Sequence, residues 1–311
     1  MNLLCFPSAD PLQDLILPLH LSADQVLLGR VERRRAGEIL ADCLESHGFS
    51  VDVAGLPPFS ECADHDSALT EALAPALEAA GSSEVVLALG AHAGPWEMAA
   101  QRLLRALLRP GECRVVMLVD GGRRMARMEP GPVAVEAIPS VVKPVDYLAG
   151  CGATLRQSGS AGEAYPCEVM ARRSLTLKLA RDCAALDSAL GSLNYLATKA
   201  VDRDGRALVE PKQHLPRPPA RPLREALEAM VEAGLIDFDG ERELIFRSAE
   251  ACRYVAGGWL EQYAWLTASE LDAEHVHAGL ELTWNAGTGI SPRNELDLFV
   301  LHRNRALTVE C

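Results

Sequence analysis

The 311-residue sequence lacks the features of a membrane or secreted protein. No window approaches the roughly 20 consecutive apolar residues that a membrane-spanning helix needs, and the start, MNLLCFPSADPLQD, has neither a basic segment nor a small-residue cleavage site. The nine cysteines are odd in number, and none stands in a CxxC pair that would hold zinc or run dithiol chemistry. We therefore expect a cytoplasmic protein with free thiols and no membrane partner.

Positive charge is also scarce. The chain has 30 Lys and Arg against 43 Asp and Glu, a formal net charge of -13. Coverage of duplex DNA depends on many Lys and Arg contacts to phosphates, so this balance argues against a protein that coats duplex DNA. A localised basic patch is still compatible with it. A carboxylate-lined metal site would contribute to the acidic balance, as would simple solubility.

Two common enzyme motifs are missing as well. The segment GAHAGP at 90–95 is not the G-x-G-x-x-G of dinucleotide-binding proteins. The histidines have no HExxH or other metal-ligand spacing, although His275 and His277 alternate onto one face of a predicted strand. These absences weigh against an ordinary nucleotide-binding Rossmann enzyme and against a zinc site.

Short apolar runs alternate with amphipathic stretches in the first half of the chain, which is typical of a doubly wound α/β domain. The runs NLLCF, QVLLG and SEVVLALG are predicted strands, with predicted helices between them. Ligands of such sheets bind beyond the carboxyl ends of the strands. Here those positions are residues 7–10, 90–96 and 120–124.

The middle of the chain predicts a smaller helical region. A helical pattern over 174–198 is followed by a proline-rich break at 211–222, which we do not expect to form the interior of an element. LREALEAMVEAG then predicts a helix, and LIDFDGERELIFRS a hairpin turning at Asp239 and Gly240. Helix and hairpin together suggest a winged-helix-like insert, whose acidic wing favours a structural role.

The C-terminal block predicts one helix and three strands. AGGWLEQYAWLTASEL is the helix and carries Glu261; HVHAGLELTWN is the first strand. NELDLFVLHRNRALTVEC forms two strands joined at Arg303 and Asn304, which brings Asp297 and Glu310 close together. Carboxylates are the ligands that Mg²⁺ and Mn²⁺ prefer, and these ions support phosphodiester hydrolysis.

GGWLEQY, NELDLFVLHRNRALTVEC and the loop after VVLALG together resemble the CRISPR-associated CARF-domain nucleases of the CARF plus PD-(D/E)XK type, over essentially the whole chain. The resemblance implies an α/β fold with a Rossmann-like CARF sensor at 1–155, a winged-helix-like insert at 168–249, and the N-terminal part of a restriction-endonuclease-like domain at 250–311. It also implies a homodimer that binds cyclic tetra-adenylate or another cyclic oligoadenylate.

The resemblance assigns roles to particular residues. By position, Asp297 and Glu310 match the metal-binding acidic residues of the motif, and Glu261 its helix glutamate; the metal is Mn²⁺ or Mg²⁺. For the cyclic oligoadenylate we expect contacts beyond strands one and four, where Trp96 would stack on an adenine and a helix N-terminus would hold a phosphate. The expected ligand-binding residues are Ser8, Ala9, Asp10, Gly90, His92, Gly94 and Trp96.

Two departures from the family pattern leave alternatives open. The motif lysine is expected two positions after Glu310, whereas the sequence given runs to Cys311; this fits either a truncated form or an inactive effector. AGPWEM also stands where the family has a Gly-Gly-Thr-Lys-like turn. The main hypothesis is a cyclic-oligoadenylate-activated nuclease in type III CRISPR defence, acting on DNA or RNA. The alternative is a ligand-binding sensor dimer that does not cut.

Overall fold

The computed structural model describes residues 1–8, 10–31, 36–80, 84–90, 94–109, 111–128, 132–158, 164–284 and 293–311. Contacts divide the chain into two units. The first consists of Met1–Gln157, Glu281–Asn294 and Leu301–Leu307, and the second of Ser158–Leu280, Glu295–Val300 and Thr308–Cys311. The three domain boundaries expected from the sequence stay a prediction, because this division rests on contacts alone.

A seven-stranded sheet organises the first unit, in the order β3-β2-β1-β4-β5-β6-β7. Its first five strands in this order are parallel, and β6 and β7 continue it antiparallel. The strands are β1 (Asn2–Cys5), β2 (Gln25–Val31), β3 (Ser50–Leu56), β4 (Val85–Leu89), β5 (Cys113–Val119), β6 (Arg124–Arg127) and β7 (Ala134–Ala137). The predicted parallel α/β sheet is confirmed.

Helices connect the parallel strands of this sheet. They are α1 (Pro11–Leu21), α2 (Ala36–Ser46), α3 (His65–Ala80) and α4 (Pro95–Leu107), with a 3₁₀ turn at Phe59–Glu61. A further helix, α5 (Pro144–Gly150), follows β7. All five residues of β4 are buried, as expected for a parallel strand covered on both faces. The order of strands reverses between β1 and β4, so their carboxyl ends open the crevice where such sheets bind ligands.

The second unit is built around one long helix. This unit contains α6 (Ala164–Ala200), β9 (Lys212–His214), α7 (Arg221–Glu232), β10 (Ile236–Phe238), β11 (Glu243–Phe246), α8 (Ala249–Arg253) and α9 (Trp259–Ser269). Helix α6 is kinked at Asp187, where φ is 21°. Leu179, Leu227 and Phe246 are among the residues of its main core, and full burial of each such side chain contributes about 1.5–3 kcal/mol.

The predicted helix and hairpin are present in α7, β10 and β11. The carboxylate of Asp239 accepts the backbone N–H groups of the three residues that follow Gly240, and β10 pairs antiparallel with β11. The prediction that residues 211–222 form no element interior is in part wrong, because β9 lies within this range. Its three residues follow Pro211 and contain no proline, so they can pair with β11.

A second sheet has the order β14-β13-β12-β8. Its strands are β8 (Ala153–Ser158), β12 (His275–Trp284), β13 (Arg293–His302) and β14 (Arg305–Val309). Strand β8 and the start of α6 at Ala164 shorten the linker expected at 156–167. Throughout the described ranges, helices are either too short or too polar to cross a bilayer.

Candidate active site and ligand crevice

The glycine pair in GGWLEQY makes a π-helical turn, Tyr254–Gly258, immediately before α9. Gly257 has a φ of 142°, which side chains rarely allow, and a Cβ on Gly258 would approach the carbonyl oxygen of Arg253 to 3.1 Å. Both glycines are therefore needed for this turn. Single π turns inside helices are frequent at functional sites, and this one fixes where Glu261 projects from the first turn of α9.

Strands β13 and β14 form the predicted hairpin. Arg303 and Asn304 both have positive φ, at 48° and 58°, which is the conformation of a two-residue type I′ turn. His302 therefore lies opposite Arg305. Five residues further from the turn on each strand, Asp297 lies opposite Glu310. Glu310 is one residue beyond the end of β14. The sequence prediction that this turn brings the two residues to facing positions agrees with the hairpin.

The carboxylates of two residues of β13 lie near the carboxyl group of Glu261. Burial raises the pKa of the Glu261 carboxyl, and the nearby carboxylates of Asp297 and Glu295 raise it further, whereas Arg253 lowers it. Two like charges raise the pKa of a third group in this way only at short range. The structure thus brings Glu261 and Asp297 into one acidic site, to which Glu295 also belongs.

Asp297 is held in place by the backbone. Its Oδ2 accepts the N–H of Cys311 at 2.7 Å. Burial raises the pKa of the Cys311 thiol, and Asp297, Glu261 and Glu310 raise it further, so the last residues of the chain share the field of the acidic site. Glu310 itself is exposed.

The donor chemistry of this site suits a hard cation, since its side chains offer carboxylate oxygens. Among the described residues, however, no three His, Cys, Asp or Glu side chains are grouped closely enough to hold a metal ion. Mg²⁺ usually takes only one or two carboxylates from the protein and fills its other positions with water and substrate phosphate oxygens. The residues therefore fit a metal bound together with substrate, and the metal site stays a prediction.

His275 and His277 lie on one face of β12, as predicted. Their rings stack with centroids 6.1 Å apart. Burial lowers the pKa of His277, and the neighbouring His275 lowers it further. This environment therefore favours the neutral form of His277.

The ligand crevice of the first unit begins with Ser8 and Asp10. Asp10 caps α1: its Oδ1 accepts the N–H of Leu12 at 3.1 Å, and its Oδ2 accepts the side-chain amide of Gln13 at 2.9 Å. The Ser8 hydroxyl accepts the N–H of Asp10 at 3.0 Å. Both expected ligand residues therefore also shape the turn between β1 and α1.

Gly90 and Gly94 flank the loop after β4. Both donate their N–H groups to the carboxylate of Glu97, at 3.3 Å for Gly90. Glu97 is buried, and burial raises its pKa although these two hydrogen bonds lower it. A carboxylate of the protein thus accepts hydrogen bonds from N–H groups that were expected to hold a phosphate. Ala9 and His92, the other expected ligand residues of this crevice, lie outside the described residues.

Trp96 is only 5% exposed. Its indole N–H donates to the carbonyl oxygen of Pro57 at 3.1 Å, and its ring meets those of Phe59 and His65 edge-on. Stacking on an adenine requires an exposed ring face, so this burial assigns Trp96 to the packing of the N-terminus of α4 in the structure described.

Asp14 is a further acidic group of the crevice. Its Oδ2 accepts the N–H of Ser8 at 2.8 Å. Burial raises its pKa to about 7, and Asp10 and Glu97 raise it against the opposing effect of the Ser8 hydrogen bonds. Asp10 and Glu97 therefore lie close enough to Asp14 to disfavour its ionised form.

Asparagine at position 14 is expected to stabilise the protein above neutral pH. An unfolded aspartate titrates near 3.9. Protonated Asp14 therefore contributes its full share to the free energy of unfolding below about pH 4. This contribution is lost as the pH rises to the folded-state pKa of about 7. At pH 8 we expect Asp14→Asn to raise the free energy of unfolding by about 3 kcal/mol, somewhat below the full conversion of 1.36 kcal/mol per pKa unit because the side chain keeps some solvent.

Urea denaturation between pH 4 and pH 8 measures this effect. Asp42→Asn, at an exposed position of α2, is the control. Its free energy of unfolding should differ from that of the wild type by the same amount at every pH. A constant difference for Asp14→Asn over the same range would contradict the assignment.

Three acidic residues of these two sites were missed from the sequence. Glu295 precedes Asp297 by two positions, and the alternation of a strand signals that both share a face. Glu97 is the third residue of α4, where a carboxylate commonly reaches back to the start of its helix. Asp14 gives no such signal, because its burial depends on tertiary packing.

The hairpin turn is anchored by a buried side chain. Asn304 is 1% exposed; its Oδ1 accepts the N–H of Val141 at 2.9 Å, and its Nδ2 donates to the carbonyl oxygen of Pro139 at 2.8 Å. The same amide nitrogen donates to the carbonyl oxygen of Gly122 at 3.4 Å. Gly122 follows β5, at one of the carboxyl strand ends expected to face a ligand, and has a φ of 85°.

The C-terminal residues 248–311 match the family model of the Card1-like endonuclease domain. This segment contains the π turn, Glu261 and the hairpin with Asp297 and Glu310. The sequence-based resemblance to CRISPR-associated CARF nucleases is thereby confirmed. A comparison with curated proteins found no match.

Solved structures of similar fold cover the whole chain. Protein VC1899 from Vibrio cholerae is 20% identical, with a TM-score of 0.76, and the match covers 100% of this chain and 79% of that one. Can2 from Sulfobacillus thermosulfidooxidans, in complex with cyclic tetra-adenylate, is 18% identical with a TM-score of 0.70, covering 100% and 76%.

A third structure, a type III CRISPR defence DNA nuclease activated by cyclic oligoadenylate, is 17% identical with a TM-score of 0.55. The match covers 100% of this chain and 40% of that one. At these identities the three likenesses establish the fold alone: a mixed α/β chain with a large parallel sheet.

Proposed function

We propose that this protein is a type III CRISPR nuclease, activated by cyclic tetra-adenylate or another cyclic oligoadenylate, that hydrolyses phosphodiester bonds in DNA, RNA or both with Mn²⁺ or Mg²⁺. The observation that carries the proposal is the match of residues 248–311 to the Card1-like endonuclease domain, with two neighbouring carboxylates, Glu261 and Asp297, inside it. Carboxylates kept close to one another are typical of sites that bind a cation.

Asp297 and Glu310 would hold the metal from facing positions of the β13–β14 hairpin, and Glu261 would complete the acidic site from α9. When bound, such an ion polarises a phosphoryl oxygen and lowers the pKa of a water molecule. The hydrogen bond from the Cys311 N–H orients the carboxylate of Asp297, which limits the reorganisation that binding requires.

In the sensor, we propose that the cyclic oligoadenylate binds beyond the carboxyl ends of β1 and β4, at Ser8, Ala9, Asp10, Gly90, His92 and Gly94. Trp96, which was also expected to bind it, is buried and would support the start of α4 beneath the ligand. The likeness to Can2, solved with cyclic tetra-adenylate, supports this crevice. A phosphate of the ligand would replace the Glu97 carboxylate at the N–H groups of Gly90 and Gly94. Two copies of the chain would share one ligand, as a homodimer, and the winged-helix-like insert formed by α7 with β10 and β11 would have a structural role.

Ligand binding would activate the enzyme by favouring a cleavage-competent arrangement over the inactive one. Such a shift requires the ligand to bind the active arrangement more tightly. We expect cleavage of plasmid DNA, single-stranded DNA or single-stranded RNA only when both Mn²⁺ and cyclic tetra-adenylate are present, and loss of cleavage when EDTA removes the metal.

The assay compares these three substrates with the full chain, with and without each component. Cleavage that is indifferent to the cyclic ligand and to EDTA would overturn the proposal. Tight binding of cyclic tetra-adenylate by calorimetry, without cleavage of any substrate, would instead support the sensor dimer that does not cut.

A further inference from the structure

A pocket of about 440 Å³ lies in the second unit, close to the π turn. It is formed by the C-terminal end of α6, the turn that follows it, and α8 with the π turn. Three arginines line it: Arg203 and Arg206 from the turn, and Arg253 from the end of α8. This volume is in the range of small-ligand sites and admits about one nucleotide.

These three arginines differ from their basic neighbours. Within the described residues, Arg203, Arg206 and Arg253 form no ion pair, whereas Arg172 is paired with Glu250, Arg173 with Glu270 and Arg247 with Asp237. Guanidinium groups without a carboxylate partner keep their hydrogen-bond donors available for phosphate oxygens. In a chain with a net charge of -13, they form a localised basic patch.

The pocket also contains Asp202 and Asp204. The carboxylate of Asp202 accepts the backbone N–H groups of Arg206 and Ala207, at 2.7 and 3.3 Å. It therefore fixes the turn that presents Arg203 and Arg206. With three arginines against two aspartates, the lining retains a positive charge.

Arg253 connects this pocket with the acidic site. Only the π turn and the start of α9 separate Arg253 from Glu261. Eight residues of helix extend about 12 Å. Because phosphates follow one another every few ångströms along a strand, a short single strand spans the distance from the pocket to the acidic site.

We propose that Arg203, Arg206 and Arg253 form a phosphate subsite for a single-stranded nucleic acid, beside the acidic site where the strand is cut. The inference rests on the proposed nuclease function and adds the binding position of the substrate strand. A pocket of this size takes one nucleotide of a single strand and excludes a duplex.

Fluorescence anisotropy with labelled single-stranded DNA and RNA, in EDTA so that nothing is cut, tests the subsite on the full chain. We expect Arg203→Ala with Arg206→Ala to weaken binding of at least one strand type about tenfold or more. The slope of log K against log salt should fall by about 1.4, since each lost contact to a single strand contributes about 0.7.

Arg217→Ala with Arg221→Ala is the matched control, since it removes the same charge from exposed positions of the same unit. It should leave affinity and slope near the wild-type values. Arg203→Lys with Arg206→Lys should recover most of the salt slope, and equal thermal midpoints should verify that each variant is folded.

Two results would overturn the subsite: the alanine pair binding both strands as tightly as wild type, or the control pair losing as much affinity as the alanine pair. Neither result bears on the nuclease, whose test is cleavage with metal and ligand. Conversely, the Arg203→Ala, Arg206→Ala variant could lose affinity while the wild-type protein cuts no substrate. That result would support the phosphate subsite and reject the proposed nuclease activity.

Discussion

Asp297→Asn is expected to reduce metal-dependent cleavage about 10³-fold or more, because a metal ion contributes several kcal/mol to stabilising the transition state and 1.36 kcal/mol corresponds to a tenfold change in rate. Asparagine keeps an oxygen that accepts the Cys311 N–H but removes the negative charge that binds the ion. Initial cleavage rates at saturating cyclic tetra-adenylate, over a range of Mn²⁺ concentrations, measure the effect.

Glu281→Ala removes an exposed carboxylate from the neighbouring strand β12 and serves as the control. It should cut at nearly the wild-type rate. If Asp297→Asn also cut at that rate, with the same dependence on Mn²⁺, Asp297 would have no part in metal binding and the acidic site would need another explanation.

Asn304→Ala is expected to lower the free energy of unfolding by about 3 kcal/mol. The substitution removes the hydrogen-bond partner of the Val141 N–H and of the Pro139 carbonyl oxygen, and the loss of each such part-buried bond costs about 1 kcal/mol. The positive φ of 58° adds about 1 kcal/mol, since alanine adopts it less readily than asparagine. Chemical denaturation measures the sum.

Asn304→Gly separates these two contributions, because glycine adopts the same backbone conformation without strain. It should be about 1 kcal/mol more stable than the alanine variant and still well below wild type. An alanine variant within 1 kcal/mol of wild type would show that the hydrogen bonds of Asn304 do not stabilise the turn.

The sequence predicted the elements with strong hydrophobic periodicity. The buried run of β4, the helix α7 and the hairpin of β10 and β11 were all recognised, because their patterns are long or end at glycine turns. Strands β6, β7 and β9 were missed. They have four residues or fewer, and most of their side chains are exposed or only partly buried, so pairing with neighbouring strands determines them rather than their own pattern.

The candidate sites were predicted less evenly. The proximity of Glu261 and Asp297 followed from the motif, and the turn at Arg303 and Asn304 from its position between two apolar runs. The burial of Trp96 and the hydrogen bonds of Glu97 depend on how α4 packs against Pro57 and the loop after β4. Contacts between residues so far apart in sequence give no local signal.

The anchoring of Asn304 limits how this protein can be rebuilt by recombination. The turn that bonds to Gly122, Pro139 and Val141 lies more than 130 residues after the start of the long helix. A chimera joined near residue 158 would therefore place a foreign hairpin against the strands of the first unit. A working chimera would require the donor hairpin to carry an equivalent amide at its tip. The hairpin tip therefore has to be exchanged together with the first unit.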